Sequence, residues 1–241
     1  MKHKKLFVTL AVSFALLLLV VGAASFYLVD YALVSVPRER NSDLSHVEKS
    51  FPEVKPWLDS LQAAGALRDT FVVMPQTGKR AHALYVRSPR AEGRTAVLVH
   101  GYGDNATSML SIARIYNREM GANVLLPDLY AHGQSDGEAI QMGWKDRLDV
   151  LHWISLAPEM FGTPASDMRL VVHGISMGAA TTMCVSGEPT PQYVKCFVED
   201  CGYTSVWDEF SNEISARFSL PDFTDVHCLV ACAGKVRLEL Q

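Results

Sequence analysis

The chain has 241 residues, with 22 Lys and Arg against 26 Asp and Glu, a net charge of −4, and 49% apolar to 20% charged residues. That mild acidity, with no basic run outside Lys2–Lys5, gives nucleic acid no electrostatic footprint, so no nucleic-acid partner is expected. Eleven Pro and 16 Gly in no period exclude a fibrous or low-complexity chain.

The first element is N-terminal. Leu6 to Val29 holds 24 residues without a charge, directly behind Met1-Lys2-His3-Lys4-Lys5. At about 1.5 Å per residue such a helix runs to roughly 36 Å, against roughly 30 Å of bilayer hydrocarbon. The run is longer than the roughly 7–15 apolar residues of a signal peptide, and Phe26 and Tyr27 stand where interfacial aromatics sit. Residues 1–29 therefore read as a single-pass membrane anchor. The positive-inside rule keeps Lys2, Lys4 and Lys5 in the cytoplasm and sends the rest of the chain across. Gly22-Ala23-Ala24 supplies small residues for a cleavage site, which leaves a secreted product as the alternative.

Residues 30–68 read as a linker, polar and Pro-bearing from Pro37 to Lys49, followed by a helical pattern around Pro56-Trp57-Leu58-Asp59-Ser60-Leu61. Strand-like runs then fall at Thr70–Met74, His82–Val86, Thr95–His100, Asn123–Pro127, Met168–His173 and Val194–Val198. Helical patterns fill Thr107–Met120, Trp144–Ala157, Met177–Ser186 and Ser205–Ser219. Apolar strands separated by helices are what a mostly parallel sheet covered on both faces requires, so residues 69–241 are expected to form an α/β domain. Trp144, Leu148 and Trp153 have helical spacing and read as core or groove packing. Cys184, Cys196, Cys201, Cys228 and Cys232 show no metal-ligand spacing, and no metal or other cofactor is expected; these thiols read as mostly buried or incidental.

Two glycine motifs carry the chemistry. Gly101-Tyr102-Gly103-Asp104-Asn105-Ala106 follows an apolar strand and opens a helix, which matches the G-x-G-x-x-A dinucleotide fingerprint, with Asp128 after the next strand as a ribose acid. Two strands precede this motif, however, and it begins at His100, so a dinucleotide-binding protein is the weaker reading. The second motif, Gly174-Ile175-Ser176-Met177-Gly178, sits between a strand and a small-residue helix start. That setting suits a nucleophile elbow, in which a tight turn exposes the serine hydroxyl above the sheet. Acyl transfer also needs two amides aimed at an oxyanion: one from the residue after the nucleophile, here Met177, and one from the loop after an earlier strand, here Tyr102.

With His100-Gly101-Tyr102-Gly103-Asp104-Asn105, Pro127-Asp128-Leu129-Tyr130-Ala131-His132-Gly133-Gln134-Ser135-Asp136-Gly137 and Gly174–Gly178 in this order, the chain resembles the α/β-hydrolase superfamily of serine hydrolases, among its bacterial esterase, lysophospholipase-like and peptidase-like members. The match runs over about residues 69–215. The resemblance implies Ser176 as nucleophile, Tyr102 and Met177 as oxyanion donors, and a small acyl substrate cleaved at an ester, thioester or amide through an acyl-serine, with no metal or cofactor.

The chain departs from that family after Ser176. Only 65 residues follow, and the one downstream histidine, His227, stands two residues after Asp225, too close for acid and base to lie on separate strand ends. The expectation is a chain truncated before the triad acid and histidine, with an out-of-frame tail from near Pro221 and impaired turnover. A noncatalytic hydrolase-like fragment or binding module is the alternative. His100, His173 and His132 read as structural histidines, and Asp200, closing the last strand, is the lesser candidate for the acid.

Overall fold

The computed structural model describes residues 2–34 and 44–218. They fall into two compact units, residues 2–34 with 205–218, and residues 44–204. In the first, helix α1 (Lys2–Leu33) is long and apolar enough to cross a membrane. It continues past the expected end at Val29 because residues 30–34 contain no Gly or Pro, and Val34 N–H still donates to Asp30 O at 2.9 Å. Helix α7 (Val206–Phe218) is capped by Ser205, whose hydroxyl accepts the Asp208 amide at 3.2 Å, with Asp208 and Glu209 in the first turn, where the helix dipole favours acids.

The second unit contains the sheet. Two short helices, α2 (Ser45–Ser50) and α3 (Lys55–Ala63), precede strands β1 (Leu67–Val73), β2 (Arg80–Val86), β3 (Arg94–Val99), β4 (Asn123–Pro127), β5 (Arg169–Ile175) and β6 (Val194–Asp200). The strand order is β1-β2-β4-β3-β5-β6. The first two strands run antiparallel to their neighbours and the remaining four run parallel, so the sheet is mixed but mostly parallel, as expected.

Alternation along the strands feeds two cores. Leu84, Val86, Ala96, Leu98, Val124 and Leu126 face Trp57, Leu58 and Leu61 of α3 and Leu110 and Ala113 of α4 (Leu110–Arg114). Helix α3 falls on the helical pattern expected around Pro56–Leu61, and the core cluster also takes in Val47, from the stretch read as polar, and Val54. Val97, Leu125 and Val172 alternate onto the opposite face, where α5 (Asp146–Phe161) and α6 (Met177–Ser186) pack on the sheet.

Two helical expectations need correction. The segment 107–120 is helical but not one helix: a 3-10 turn at Ala106–Met109 and α4 lead into a π turn at Ile115–Glu119. Within that wide last turn Asn117 accepts the Trp57 indole N–H at 3.2 Å and donates to Ala122 O at 3.0 Å. Helix α5 begins two residues after Trp144, because the chain turns at Met142 (φ 52°) and Gly143 (φ 91°). Trp153 is buried as expected, whereas Trp144 is 62% exposed with the Arg147 guanidinium 3.8 Å from its ring centroid. The thiols also differ from their reading: Cys196 and Cys201 are exposed and Cys184 half-buried, all three free, while Cys228 and Cys232 lie outside the described residues.

Candidate active site

Strands β3 and β5 are parallel neighbours in which Val99 pairs with Gly174, so the loops that follow them leave the same edge of the sheet. Their closeness is measurable at Gly101, where a Cβ would stand 3.5 Å from Ser176 Cβ and 3.6 Å from Asp104 Oδ2. Tyr102, 39% exposed, follows directly. Ladder pairs with β6 continue through Ile175 and Asp200, which carries β5 two residues beyond its expected end, up to the serine itself.

Ser176 has φ 54° and ψ −119°, a conformation L residues rarely adopt and one that costs on the order of 1–3 kcal/mol. The neighbourhood enforces it. Ser176 N–H donates to Asp200 O at 2.9 Å, and Ala180 N–H donates back to Ser176 O at 3.0 Å. A Cβ on Gly174 would stand 2.0 Å from Gly178 O, so only glycine lets helix α6 start hard against the strand that leads into it. Met177 is the first residue of α6, and amides in a first helical turn have no acceptor within the helix. The positive end of that helix thus opens beside a half-exposed serine.

Two of the surrounding histidines, His100 and His132, are committed to backbone groups. His100, fully buried, sets Nδ1 2.7 Å from Gly101 O and accepts Leu129 N–H at Nε2 at 3.0 Å; burial pushes its pKa down. His132, 1% exposed, sets Nδ1 2.9 Å from Tyr130 O and accepts Gly103 N–H at Nε2 at 3.2 Å. His173 meets the Tyr116 hydroxyl at 3.2 Å, and its buried Nε2 lacks a partner among the described residues. Burial raises the pKa of Asp104 on the same loop as His100. His227 and Asp225 lie outside the described residues.

Asp128 is the anchor of its loop. Its Oδ2 lies 2.7 Å from His82 Nδ1 and 2.8 Å from the Gln134 amide, and its Oδ1 accepts the Ala106 amide at 2.6 Å. Burial alone would raise its pKa, but the His82 hydrogen bond and those two amides hold it below the ordinary value. A carboxylate occupied in this way, 3% exposed, has no room for a ribose, which removes the residue a dinucleotide would need. His82 is the partner that sequence reasoning missed: only the antiparallel register, with Ala83 opposite Pro127, brings it to Asp128. Asp146 was missed too. It is fully buried, accepts the Gly143 amide at 2.9 Å, and burial together with the nearby Asp149 charge pushes its pKa up to about 7.

Asp200 offers the site its carbonyl through Ser176 N–H, while the residue itself is exposed at the strand end. Among the described residues no group of three or more His, Cys, Asp and Glu is arranged to hold a metal.

No family model matches the sequence. The chain is 24% identical over 157 residues to the uncharacterized protein YqkD of Bacillus subtilis (strain 168), an alignment that takes in 65% of this chain and 50% of that one. It therefore spans about half the length of this curated relative. Among solved structures, an esterase of Pyrococcus furiosus is similar at 19% identity in two crystal forms, with TM-scores of 0.55 and 0.56. Those superpositions cover 69% and 71% of this chain and 62% and 65% of the esterase. Strand order, the serine turn and these neighbours agree that the fold is that of the α/β-hydrolases, built around a six-stranded mixed sheet.

Proposed function

We propose that this chain is a membrane-anchored serine hydrolase that opens a small ester, thioester or amide through an acyl-serine. The observation that carries this reading is the Ser176 backbone, φ 54° and ψ −119°, at the turn from β5 into α6 beside the 101–104 loop. In the proposed step Ser176 Oγ attacks the acyl carbon, and the oxyanion is received by the amides of Met177 and Tyr102. The leaving group departs with the serine proton, and water then releases the acid.

Turnover should be slow. His82, His100 and His132 have ring nitrogens engaged elsewhere, so the serine proton has no poised acceptor among them. In subtilisin, loss of the catalytic histidine alone removes roughly 2 × 10⁶ of kcat, while a residual of about 10³–10⁴ over water survives from oxyanion hole and binding. The same commitment of histidines favours the second reading, a binding module that keeps the acyl pocket without turnover.

The test uses the full chain in detergent with p-nitrophenyl butyrate, with and without Ser176→Ala. Slow turnover that disappears in Ser176→Ala supports the hydrolase, and equal rates support the binding module. Brisk Ser176-dependent turnover would mean that another base completes the site. The proposal puts residues 44–204 outside the cytoplasm, a reading supported by Lys2, Lys4 and Lys5 at the N-terminal end of α1. Carbonate extraction that releases an N-terminally shortened protein would replace the anchor with a cleaved signal.

A further inference from the structure

The loops after β3 and β4 hold each other through two histidines in a reciprocal arrangement. His100, on the first loop, accepts Leu129 N–H of the second at 3.0 Å; His132, on the second, accepts Gly103 N–H of the first at 3.2 Å. Each remaining Nδ1 faces a carbonyl near its own position, Gly101 O at 2.7 Å and Tyr130 O at 2.9 Å. A ring nitrogen that faces an amide must lack a proton and one that faces a carbonyl must carry it, so both rings are neutral Nδ1–H tautomers. The rings meet edge to face with centroids 5.0 Å apart.

These bonds fall on the two peptide planes that flank Tyr102. In a trans peptide the carbonyl and the following amide point in opposite directions, and no cis peptide occurs among the described residues. Fixing Gly101 O against His100 therefore fixes the direction of Tyr102 N–H, and fixing Gly103 N–H against His132 holds the next plane. Without the second restraint the chain can swing about Gly103, which has no Cβ and sits at φ 72°.

The geometry points to His132 as a positioning residue that, through the Gly103 amide, holds the Tyr102 amide in its oxyanion-binding direction. This rests on the hydrolase reading above. Preorganised donors are what such a site requires, and loss of one whole donor costs about 10²–10³ in rate.

The experiment compares the full chain with His132→Gln, which restores an acceptor for Gly103 N–H, and His132→Phe, which keeps ring volume without one. Both are made beside a Ser176→Ala control, with kcat and KM measured on p-nitrophenyl butyrate. His132→Phe should lose about 10–100-fold in kcat with KM within about twofold, and His132→Gln should recover most of that loss. Equal rates for the Gln and Phe variants, in a parent chain whose turnover depends on Ser176, overturn the role of His132 alone. Turnover unchanged by Ser176→Ala overturns the hydrolase reading and this role with it. Should the variants fail to fold, amide exchange in the parent chain decides: a protected Gly103 amide supports the role, and one that exchanges as fast as an open loop overturns it.

Discussion

The carbonyl of Val99 occupies the place where a side chain on Gly178 would stand: a Cβ there would lie 2.1 Å from the Val99 oxygen and 2.6 Å from that of His100. This contact seats the first turn of α6 against the end of β3, and so sets the distance between the serine turn and the 101–104 loop.

Gly178→Ala should therefore push α6 away from the sheet. Overpacking of this kind costs about 1–3 kcal/mol, and at about 2–4 °C per kcal/mol for a domain of this size the melting temperature should fall by roughly 2–12 °C. Ser176-dependent turnover should fall with it. Gly187→Ala is the control, because φ there is −81° and the nearest atom to its Cβ would be 3.6 Å away. A Gly178→Ala protein that melts like the Gly187→Ala one would show that the contact carries no strain.

Ser176 should trade stability for function. Its backbone lies where glycine is at ease, so Ser176→Gly should relieve part of the roughly 1–3 kcal/mol of strain and raise the melting temperature by about 2–4 °C, while turnover drops to that of Ser176→Ala. Differential scanning fluorimetry of the Gly and Ala variants side by side separates backbone relief from loss of the hydroxyl. Equal melting temperatures would remove strain from the account.

Much of this was legible in the sequence, for reasons that are local. Strand β4 matches its expected bounds because the apolar run Val124-Leu125-Leu126 is bounded by Asn123 and Pro127, and α6 matches because its flanking glycines punctuate it. The glycine motifs could be read because steric need shows up as residue type: Gly174 and Gly178 have no room for a Cβ. What could not be read depends on register and long-range packing. His82 lies 46 positions from Asp128, and only the pairing of β2 with β4 joins them. Val47 lies in the stretch from Pro37 to Lys49 that reads as polar because its apolar positions are sparse, yet it is buried in the same core as Trp57, Leu58 and Leu61 of the expected helix.

Asp128 should prove indispensable to folding rather than to chemistry. Asp128→Ala removes the acceptor of two amides and the partner of His82 at once, and breaking a buried, hydrogen-bonded charge in this way costs about 3–5 kcal/mol. Urea unfolding at pH 7 reads that loss directly. Because the folded-state pKa lies below the ordinary carboxylate value, the stabilisation is present above that value and is lost as pH falls through the folded pKa. Asp128→Ala should therefore lose its deficit relative to the parent as both are acidified. A deficit that stays constant down to acid pH would remove ionised Asp128 from the account.

Asp146 should act in the opposite direction, and its sign distinguishes it from Asp128. Burial pushes its pKa up to about 7, with the charge of Asp149 adding to the effect, and Asp149 itself is raised to about 6 by burial. The folded chain thus holds protons here that the unfolded chain has already released, so stability falls as pH rises through the folded pKa values. At about 1.36 kcal/mol per unit, the interval from pH 5.5 to the Asp146 pKa removes on the order of 1–2 kcal/mol. Asp146→Asn keeps an oxygen for the Gly143 amide and cannot ionise. Its melting temperature should already exceed the parent's at pH 5.5, where only the unfolded carboxylate is ionised, and exceed it further at pH 8.5, by about 2–4 °C for each kcal/mol of ionisation cost removed. The measurement is a pair of melting curves at each pH. A parent protein that is as stable at pH 8.5 as at pH 5.5, or an Asn variant that follows the same pH slope, would mean that Asp146 ionises without cost and that its carboxylate is solvated.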